Sequence, residues 1–405
     1  MADWSMLPND LLDAIALKLD SIEDLICFSA VCRSWNDVFI MVKRKWMPTT
    51  PWLLLAEQEH EHEHDHDHDH NHNHEHEHKV CSGCRKIFDI RKNKCLELNI
   101  SQASRRRCWG SRYGWIVMIG GYDDKQVSLF NPITKGQLSL PSLESGLGEC
   151  ATKVRKAFVI KIDEDDFVVM VTNNHHQLSL ARPGDKTWTK VITISGEKAH
   201  VLDVLSWKGL VLIMHSYRYL TCCDVSTIRN FSPSQPVYAN KPYGLITFPL
   251  DIDGSSSICQ DCYMVELAGD FLLVVRNKFT IWYRNFGLGH DEHEATPCFT
   301  RDFKVYKLSY LGEIRPKTRS DYRHVRILSN VKDLGDYMVF VSNNSAMSVH
   351  KSKLPNCQHN VIYFTGDEEQ HMSMFDMASR KIKRFYPGND TMSRVFAPTL
   401  FMPKF

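Results

Sequence analysis

Hydrophobic residues follow two periods along this chain, and the change falls near residue 50. Over residues 5–45 they recur every three or four positions, as on one face of a helix. Leu11, Leu12, Ile15 and Leu19 form a first stripe, opened by Asn9 and Asp10, which suit a helix N-cap. Ser21-Ile-Glu-Asp24 reads as an acidic capping box before a second helix. That helix places Leu25, Phe28, Cys32, Trp35 and Phe39 on one seam, and Pro48 and Pro51 end the helical region. So short a segment cannot bury a large core, so part of its apolar surface is expected to meet a partner or the following domain.

Beyond residue 50 the period becomes two. Apolar bursts of strand length recur, among them Trp115–Ile119, Val127–Phe130, Ala157–Ile162, Phe167–Val171 and Gln177–Leu180. Val201–Leu205, Gly209–Met214, Tyr263–Leu267, Phe271–Val275, Phe303–Leu308, Tyr337–Val341 and Val361–Phe364 continue the series. Turn residues separate them, and a first strand ends in a tight turn, as in Glu266-Leu-Ala-Gly-Asp270 and Asp203-Val-Leu-Ser-Trp-Lys-Gly209. Gly335-Asp336 reads as a tight hairpin, and Asn131-Pro132 and Leu140-Pro141 as turn and strand-edge punctuation. Many short strands with scarce helix predict an all-β body. The strand rhythm is that of a β-propeller without WD or kelch signatures, with a β-sandwich-like or incomplete propeller as the alternative.

Two family resemblances add to this reading. Leu7-Pro8-x-Asp10-Leu11-Leu12, Asp24-Leu25-x-x-Phe28 and Val31-Cys32-Arg33-Ser34-Trp35 together resemble an F-box, a small helical module. The resemblance implies docking on a Skp-type adaptor and, through it, on a cullin–RING ubiquitin ligase. It further implies that Leu7, Pro8, Leu11, Leu12 and Ile15 press into the adaptor, while Leu25 and Phe28 shape or join that surface. Cys32 and Trp35 read as packing. The remainder is similar to the plant F-box-associated, propeller-like domain of unknown function. Trp52-Leu-Leu-Leu55, Cys108–Trp115, Leu129–Thr134, Leu140-Pro141, Trp188-Thr189, Phe303–Leu308, Leu334–Asn344 and Asn360–Asp367 carry that likeness. The expected division is a helical module at 1–47 and an all-β, propeller-like domain at 48–405, with an insertion at 58–80. Tyr337-Met338 departs from the family, which more often has a basic and a small residue there.

Composition narrows the classes. With 43% hydrophobic and 24% charged residues, the 405-residue chain is ordinary globular material. No apolar run reaches membrane-spanning length, so no membrane partner is expected. The 49 basic and 48 acidic residues nearly balance. Eight carboxylates between Glu59 and Glu77 hide a mildly basic remainder, spread out rather than gathered in a stripe. The 13 cysteines show no framework spacing and the first residues no secretory pattern, which predicts free thiols and a cytoplasmic or nuclear setting.

Histidine occupies every even position from 60 to 78, alternating with acids and asparagine, and Cys81-Ser-Gly-Cys84 follows. Imidazoles and a C-x-x-C suit zinc, copper or nickel. The favoured reading is a tolerated expansion between two strands, because closure entropy grows only logarithmically with loop length. No cofactor is expected. A second C-x-x-C at zinc-ribbon spacing is absent, and Cys259 and Cys262 read as ordinary thiols.

No hydrolase elbow, phosphate loop or metalloprotease helix is present, so the chain is not expected to be an enzyme. Arg91-Lys-Asn-Lys94 and Arg105-Arg-Arg107 invite a nucleic-acid reading, which is disfavoured beside that of two solvated strand ends. Tyr217, Arg218, Tyr219, Trp282, Tyr283 and Arg284 have the chemistry of interface anchors, and equally that of packing between blades. The expected role is the substrate-recognition subunit of a Skp–cullin–F-box ligase, with an unknown protein target. The alternative is an F-box scaffold or regulator acting outside ubiquitylation.

Overall fold

A computed structural model describes residues 4–19, 22–43, 50–55, 85–96, 98, 100–120, 125–147, 154–164, 166–173, 177–193, 200–216, 219–232, 235–239, 241–245, 258–280, 298–309, 326–342, 345–365, 372–386 and 398–404. The insertion expected at 58–80, with Cys81 and Cys84, lies outside them, as do Ser21 of the capping box and Pro48, whereas Pro51 is described.

The N-terminal region forms three helices rather than two. A 3-10 turn at Trp4–Met6 precedes α1 (Asn9–Ala16), α2 (Ile22–Ser29) and α3 (Arg33–Val42). Pro8, not Asn9 or Asp10, occupies the N-cap of α1, with its ψ at 144° and no side-chain cap. Its carbonyl accepts from the N–H groups of Leu11 and Leu12, and its own missing N–H costs nothing at a helix start. The seam expected on one long helix is split at Cys32, which is extended (φ −164°, ψ 176°) and caps α3. Before it, the Val31 N–H bonds back to the Phe28 carbonyl and closes α2. The split folds α3 back so that Phe28 and Trp35 meet with ring centroids 4.6 Å apart.

Six antiparallel-dominated sheets follow, arranged as propeller blades. Blade 1 is Arg107–Gly110, Ile116–Ile119, Val127–Phe130 and Gln137–Leu140. The innermost strands of blades 2 to 5 are Val154–Lys161, Val201–Trp207, Ile258–Leu267 and Ser345–His350. Each lies against the innermost strand of a neighbouring blade. Blade 5 departs from simple meandering: Val361–Thr365 pairs parallel to Tyr337–Ser342, which is antiparallel to Ser345–His350.

Blade 6 joins the two ends of the chain. Trp52–Leu54 pairs antiparallel both with Ile87–Asp89 and with Thr399–Phe401, the innermost strand. Trp52 stands opposite Phe401 and Leu54 opposite Thr399. Residues 56–84 therefore connect two directly paired strands, Leu54 facing Ile87. Gly110 sits at the seam between blades 6 and 1. A Cβ there would lie 2.1 Å from the Leu400 carbonyl oxygen, so the close approach of two backbones demands glycine. The buried Asn131 side chain donates from Nδ2 to the Lys404 carbonyl at 2.8 Å, fastening the C-terminal segment to blade 1.

Strands buried on both faces explain the continuous apolar runs in the sequence. Along the strand Leu210–His215, Val211 and Ile213 join one apolar cluster while Leu212 and Met214 join another. Tyr363 and Phe364 are divided between clusters in the same way, as alternation requires. Each such side chain is worth about 1.5–3 kcal/mol of burial. The turns at Lys208-Gly209 and Ala268-Gly269 are two-residue hairpins with positive φ at both positions. Gly335-Asp336 is not a hairpin: it links Arg326–Val331 of blade 4 to Tyr337–Ser342 of blade 5, because its flanking strands belong to different sheets.

Candidate functional site

The helical unit carries two apolar faces. Leu12 and Ala16 of α1, Ile22, Leu25 and Phe28 of α2, and Val38 and Val42 of α3 are buried together. The same cluster continues into Trp52, Leu54, Ile87, Leu96 and Phe401 of blade 6 and Ile116, Met118 and Phe130 of blade 1. The helices are thus seated on the propeller through a shared core, with Leu7, Ile15, Leu19, Trp35 and Phe39 half-buried at its margin. Trp35 Nε1 donates to the Trp4 carbonyl at 3.1 Å, holding the 3-10 turn against α3.

The second face points to solvent. Of the eleven exposed large hydrophobic residues among those described, eight fall between Trp4 and Met41: Trp4, Met6, Leu11, Leu17, Ile26, Val31, Ile40 and Met41. On α1 the exposed Pro8 and Leu11 and the half-buried Ile15 recur at helical spacing, forming an outer stripe distinct from Leu12 and Ala16. Leu12, expected to press outward, faces inward at 0% exposure. One residue along a helix turns the side chain by about 100°, so Leu11 and Leu12 cannot serve one surface equally. Leu25 and Phe28 are core residues that support the surface from beneath.

The remaining candidates are dispersed. The run 91–94 is a turn leading into the strand Lys94–Leu96, and its Arg91 and Lys92 N–H groups bond to the buried Asp89 carboxylate. Arg107 lays its guanidinium 4.8 Å from the Trp109 ring centre at the start of blade 1. Both basic runs are strand ends. Cys262 is buried on the inner strand of blade 4, and the side chain of Cys259 lies outside the described residues. Among the described residues no group of three or more His, Cys, Asp or Glu side chains could hold a metal ion. Tyr217, Arg218, Trp282, Tyr283 and Arg284, and the Tyr219 side chain, lie outside the described residues.

Sequence reasoning missed a polar centre where the inner strands converge. Asp203 on the inner strand of blade 3 is buried, its Oδ2 accepting from the Met264 N–H at 2.6 Å and its Oδ1 from the Val204 N–H at 2.9 Å. Burial pushes its carboxyl up to about 6, against the pull of Met264 N–H, Lys156 and Arg112. Lys156 donates to the Leu202 carbonyl at 2.7 Å and lies 5.3 Å from the Tyr263 ring centre. Lys278 and Asp261 form a buried ion pair at 2.6 Å. Arg112 reaches across from blade 1, its Nη2 donating to the Ala346 carbonyl and, at 3.4 Å, to that of Met264. A charged residue inside an otherwise apolar run was the available signal: Asp203 interrupts Val201–Leu205, and Lys156 precedes Ala157–Ile162.

Comparison with known proteins agrees with both units. Residues 4–47 match the F-box domain and residues 87–376 the KIB1-4 beta-propeller. F-box protein SKIP23 of Arabidopsis thaliana is 22% identical over 430 aligned positions, covering 95% of this chain and 91% of that protein. F-box protein At2g17036 of the same plant is 21% identical, covering 94% and 90%. With a three-helix module seated on a six-bladed ring and both parts matched in order, the chain belongs to the KIB1-4 beta-propeller family and carries an F-box ahead of the propeller.

Proposed function

We propose that this chain is the substrate-recognition subunit of a Skp–cullin–F-box ubiquitin ligase. The observation that carries the reading is the outward apolar face of the helices. Among the described residues, eight of eleven exposed large hydrophobics are concentrated in a unit whose own core is already filled by other residues. Such a face is suited to a helix-lined groove on a Skp-type adaptor. Pro8, Leu11 and Ile15 form its central stripe, with Leu7 at the edge, while Leu12, Leu25 and Phe28 fix its shape from within. The cullin complex is recruited through that adaptor.

The propeller then presents its loops to a protein target. The chain supplies position rather than bond-making chemistry, raising the effective concentration of target lysines at the conjugating enzyme. It needs no cofactor for this, and its place of work is the cytoplasm, the nucleus or both. Among the described residues no helix is long and apolar enough to cross a membrane. Neither a membrane nor a nucleic acid is part of the proposal.

The deciding experiment is titration of the full chain with a purified Skp-type adaptor, alongside Leu11→Asp. Saturable binding by the unaltered chain, weakened at least about tenfold by a charge at this anchor, is expected. No binding by the unaltered chain would remove the ligase reading and leave a scaffold acting outside ubiquitylation.

A further inference from the structure

We propose that the outer edge of blade 5 is a docking site for an acidic strand of a partner protein. The outermost strand there is Ile382–Tyr386, which pairs antiparallel with Met372–Asp376 on one side only. Its other side is a sheet edge, where backbone N–H and C=O groups have no strand to meet. Lys381, Ile382, Lys383 and Arg384 are all exposed along it. A peptide can extend such an edge through main-chain hydrogen bonds, its side chains alternating between the two faces of the sheet.

Charge decides which peptide fits. Arg380, Lys381, Lys383 and Arg384 place four cations in five residues. Every other outermost strand, Lys94–Leu96, Gln137–Leu140, Val237–Ala239, Lys241–Leu245 and Arg326–Val331, holds at most one. Arg380 is committed to blade 4, donating from Nη2 to the Phe303 carbonyl at 3.2 Å, with the Asp302 carboxylate at 4.0 Å. The Asp376 carboxylate is likewise engaged, accepting from the Ala378 and Ser379 N–H groups and the Gln358 side chain. Lys381, Lys383 and Arg384 have no acid partner among the described residues.

Register dictates the partner's pattern. Ile382 stands opposite Phe375, which packs toward blade 4, and Lys383 opposite Met374, which packs toward blade 6. Ile382 and Arg384 therefore share one face, and Lys381 and Lys383 the other. A residue set beside Ile382 should be apolar, its two neighbours acidic to meet Lys381 and Lys383, and the residue one step further acidic to meet Arg384. To serve either strand direction, the pattern is acid-acid-apolar-acid-acid. Opposite charges across a strand pair stabilise it and like charges oppose it, so the cations that repel basic strands select this one. Ladder groups at strand spacing suit a polypeptide rather than a phosphate backbone. The site is independent of whether the helices dock an adaptor.

Fluorescence anisotropy with the full chain tests this, using a labelled, capped peptide Thr-Glu-Glu-Val-Glu-Glu-Thr and its Gln counterpart. Saturable binding of the Glu peptide at sub-millimolar concentrations, weakened by salt, with none for the Gln peptide, is the expected result. Two N-methylated Glu peptides, blocked at alternate positions in the two possible registers, probe the ladder. One should bind and the other should not, since only alternate N–H groups face the edge. Lys383→Glu with Arg384→Glu reverses two exposed charges, leaves the fold intact and should weaken binding at least about tenfold. No binding of the Glu peptide, equal binding of the Gln peptide, equal binding of both N-methylated peptides, or indifference to the charge reversal overturns the proposal. So does tighter binding of a DNA duplex through Lys383 and Arg384, which would assign the edge to nucleic acid. Binding only after residues 59–78 are deleted would give the edge to the chain's own eight carboxylates between Glu59 and Glu77, and would overturn the assignment to a partner.

Discussion

Leu11 and Leu12 are adjacent in α1 and serve different surfaces: Leu11 is 52% exposed and Leu12 is 0% exposed. Their substitution should therefore separate docking from folding. Leu11→Asp is expected to weaken adaptor binding at least about tenfold while moving the unfolding midpoint little. Leu12→Ala should cost about 2–5 kcal/mol of stability through the cavity it leaves. Isothermal titration and urea unfolding on the same preparations read both effects. Equal loss of stability in the two variants would contradict the two-faced arrangement.

Two buried groups should oppose each other in their pH dependence. Burial raises the Asp203 carboxyl from an ordinary 3.8 to about 6 and lowers the His215 imidazole from 6.5 to about 4. Folded Asp203 keeps a proton that the unfolded chain releases, so its contribution to stability falls as pH rises from about 4 through 6. Folded His215 refuses a proton that the unfolded chain takes, so its contribution falls as pH drops from 6.5 toward 4. Each amounts to about 3 kcal/mol at the converted rate per pH unit, and the two nearly cancel. Urea midpoints of the unaltered chain should change little across this window on their account. Asp203→Asn should unmask a steep loss toward acid, and His215→Gln a loss toward neutral pH. Identical profiles for all three proteins would show that neither group titrates as its surroundings dictate.

Gly110 provides a test of ring closure. An alanine methyl group there meets the Leu400 carbonyl oxygen at 2.1 Å, and the neighbour is backbone rather than a side chain that can swing away. Gly110→Ala should cost about 1–3 kcal/mol through overpacking at the seam. Hydrogen exchange should locate the loosening in Thr399–Phe401 and Arg107–Gly110. Unaltered protection in both strands would argue against a tight seam.

The histidine-rich segment joins Trp52–Leu54 to Ile87–Asp89, which are paired whatever lies between them. The Leu55 N–H to Lys86 carbonyl bond and the Arg85 Nε to Leu55 carbonyl bond, 2.9 and 2.8 Å long, close that pair at its open end. Deleting residues 59–78 should leave the fold intact and raise stability by about 1 kcal/mol, the closure entropy of the longer connection. The deletion should also flatten the change in electrophoretic mobility between pH 5 and 8, because ten imidazoles beside carboxylates titrate there. Mobility curves of the same shape for both proteins would refute the second part.

Much of this architecture is legible in the residues, for identifiable reasons. Blades bury both faces of most strands, so runs such as Phe167–Val171 announce themselves without alternation. Two-residue turns such as Lys208-Gly209 need left-handed backbone, and glycine marks them. The helical module is legible through its motif, but the division of labour between Leu11 and Leu12 is not. Both are leucines, and only the packing of α3 and blade 6 decides which one is covered. The break at Cys32 is hidden because the stripe from Leu25 to Phe39 keeps helical spacing straight through it. Closure by Thr399–Phe401 and the reach of Arg112 across the ring depend on residues hundreds of positions apart, a relationship no local period encodes.

Trp52 faces Phe401 across blade 6, and the helices rest on the core to which both residues belong. The helices precede the propeller in the sequence, yet their seat is completed by a strand hundreds of positions further along. A chain cut short before Thr399 would carry every outward leucine and still lack the finished platform. The support of the N-terminal face is thus shared between two stretches that lie far apart in the sequence and meet only in the closed ring.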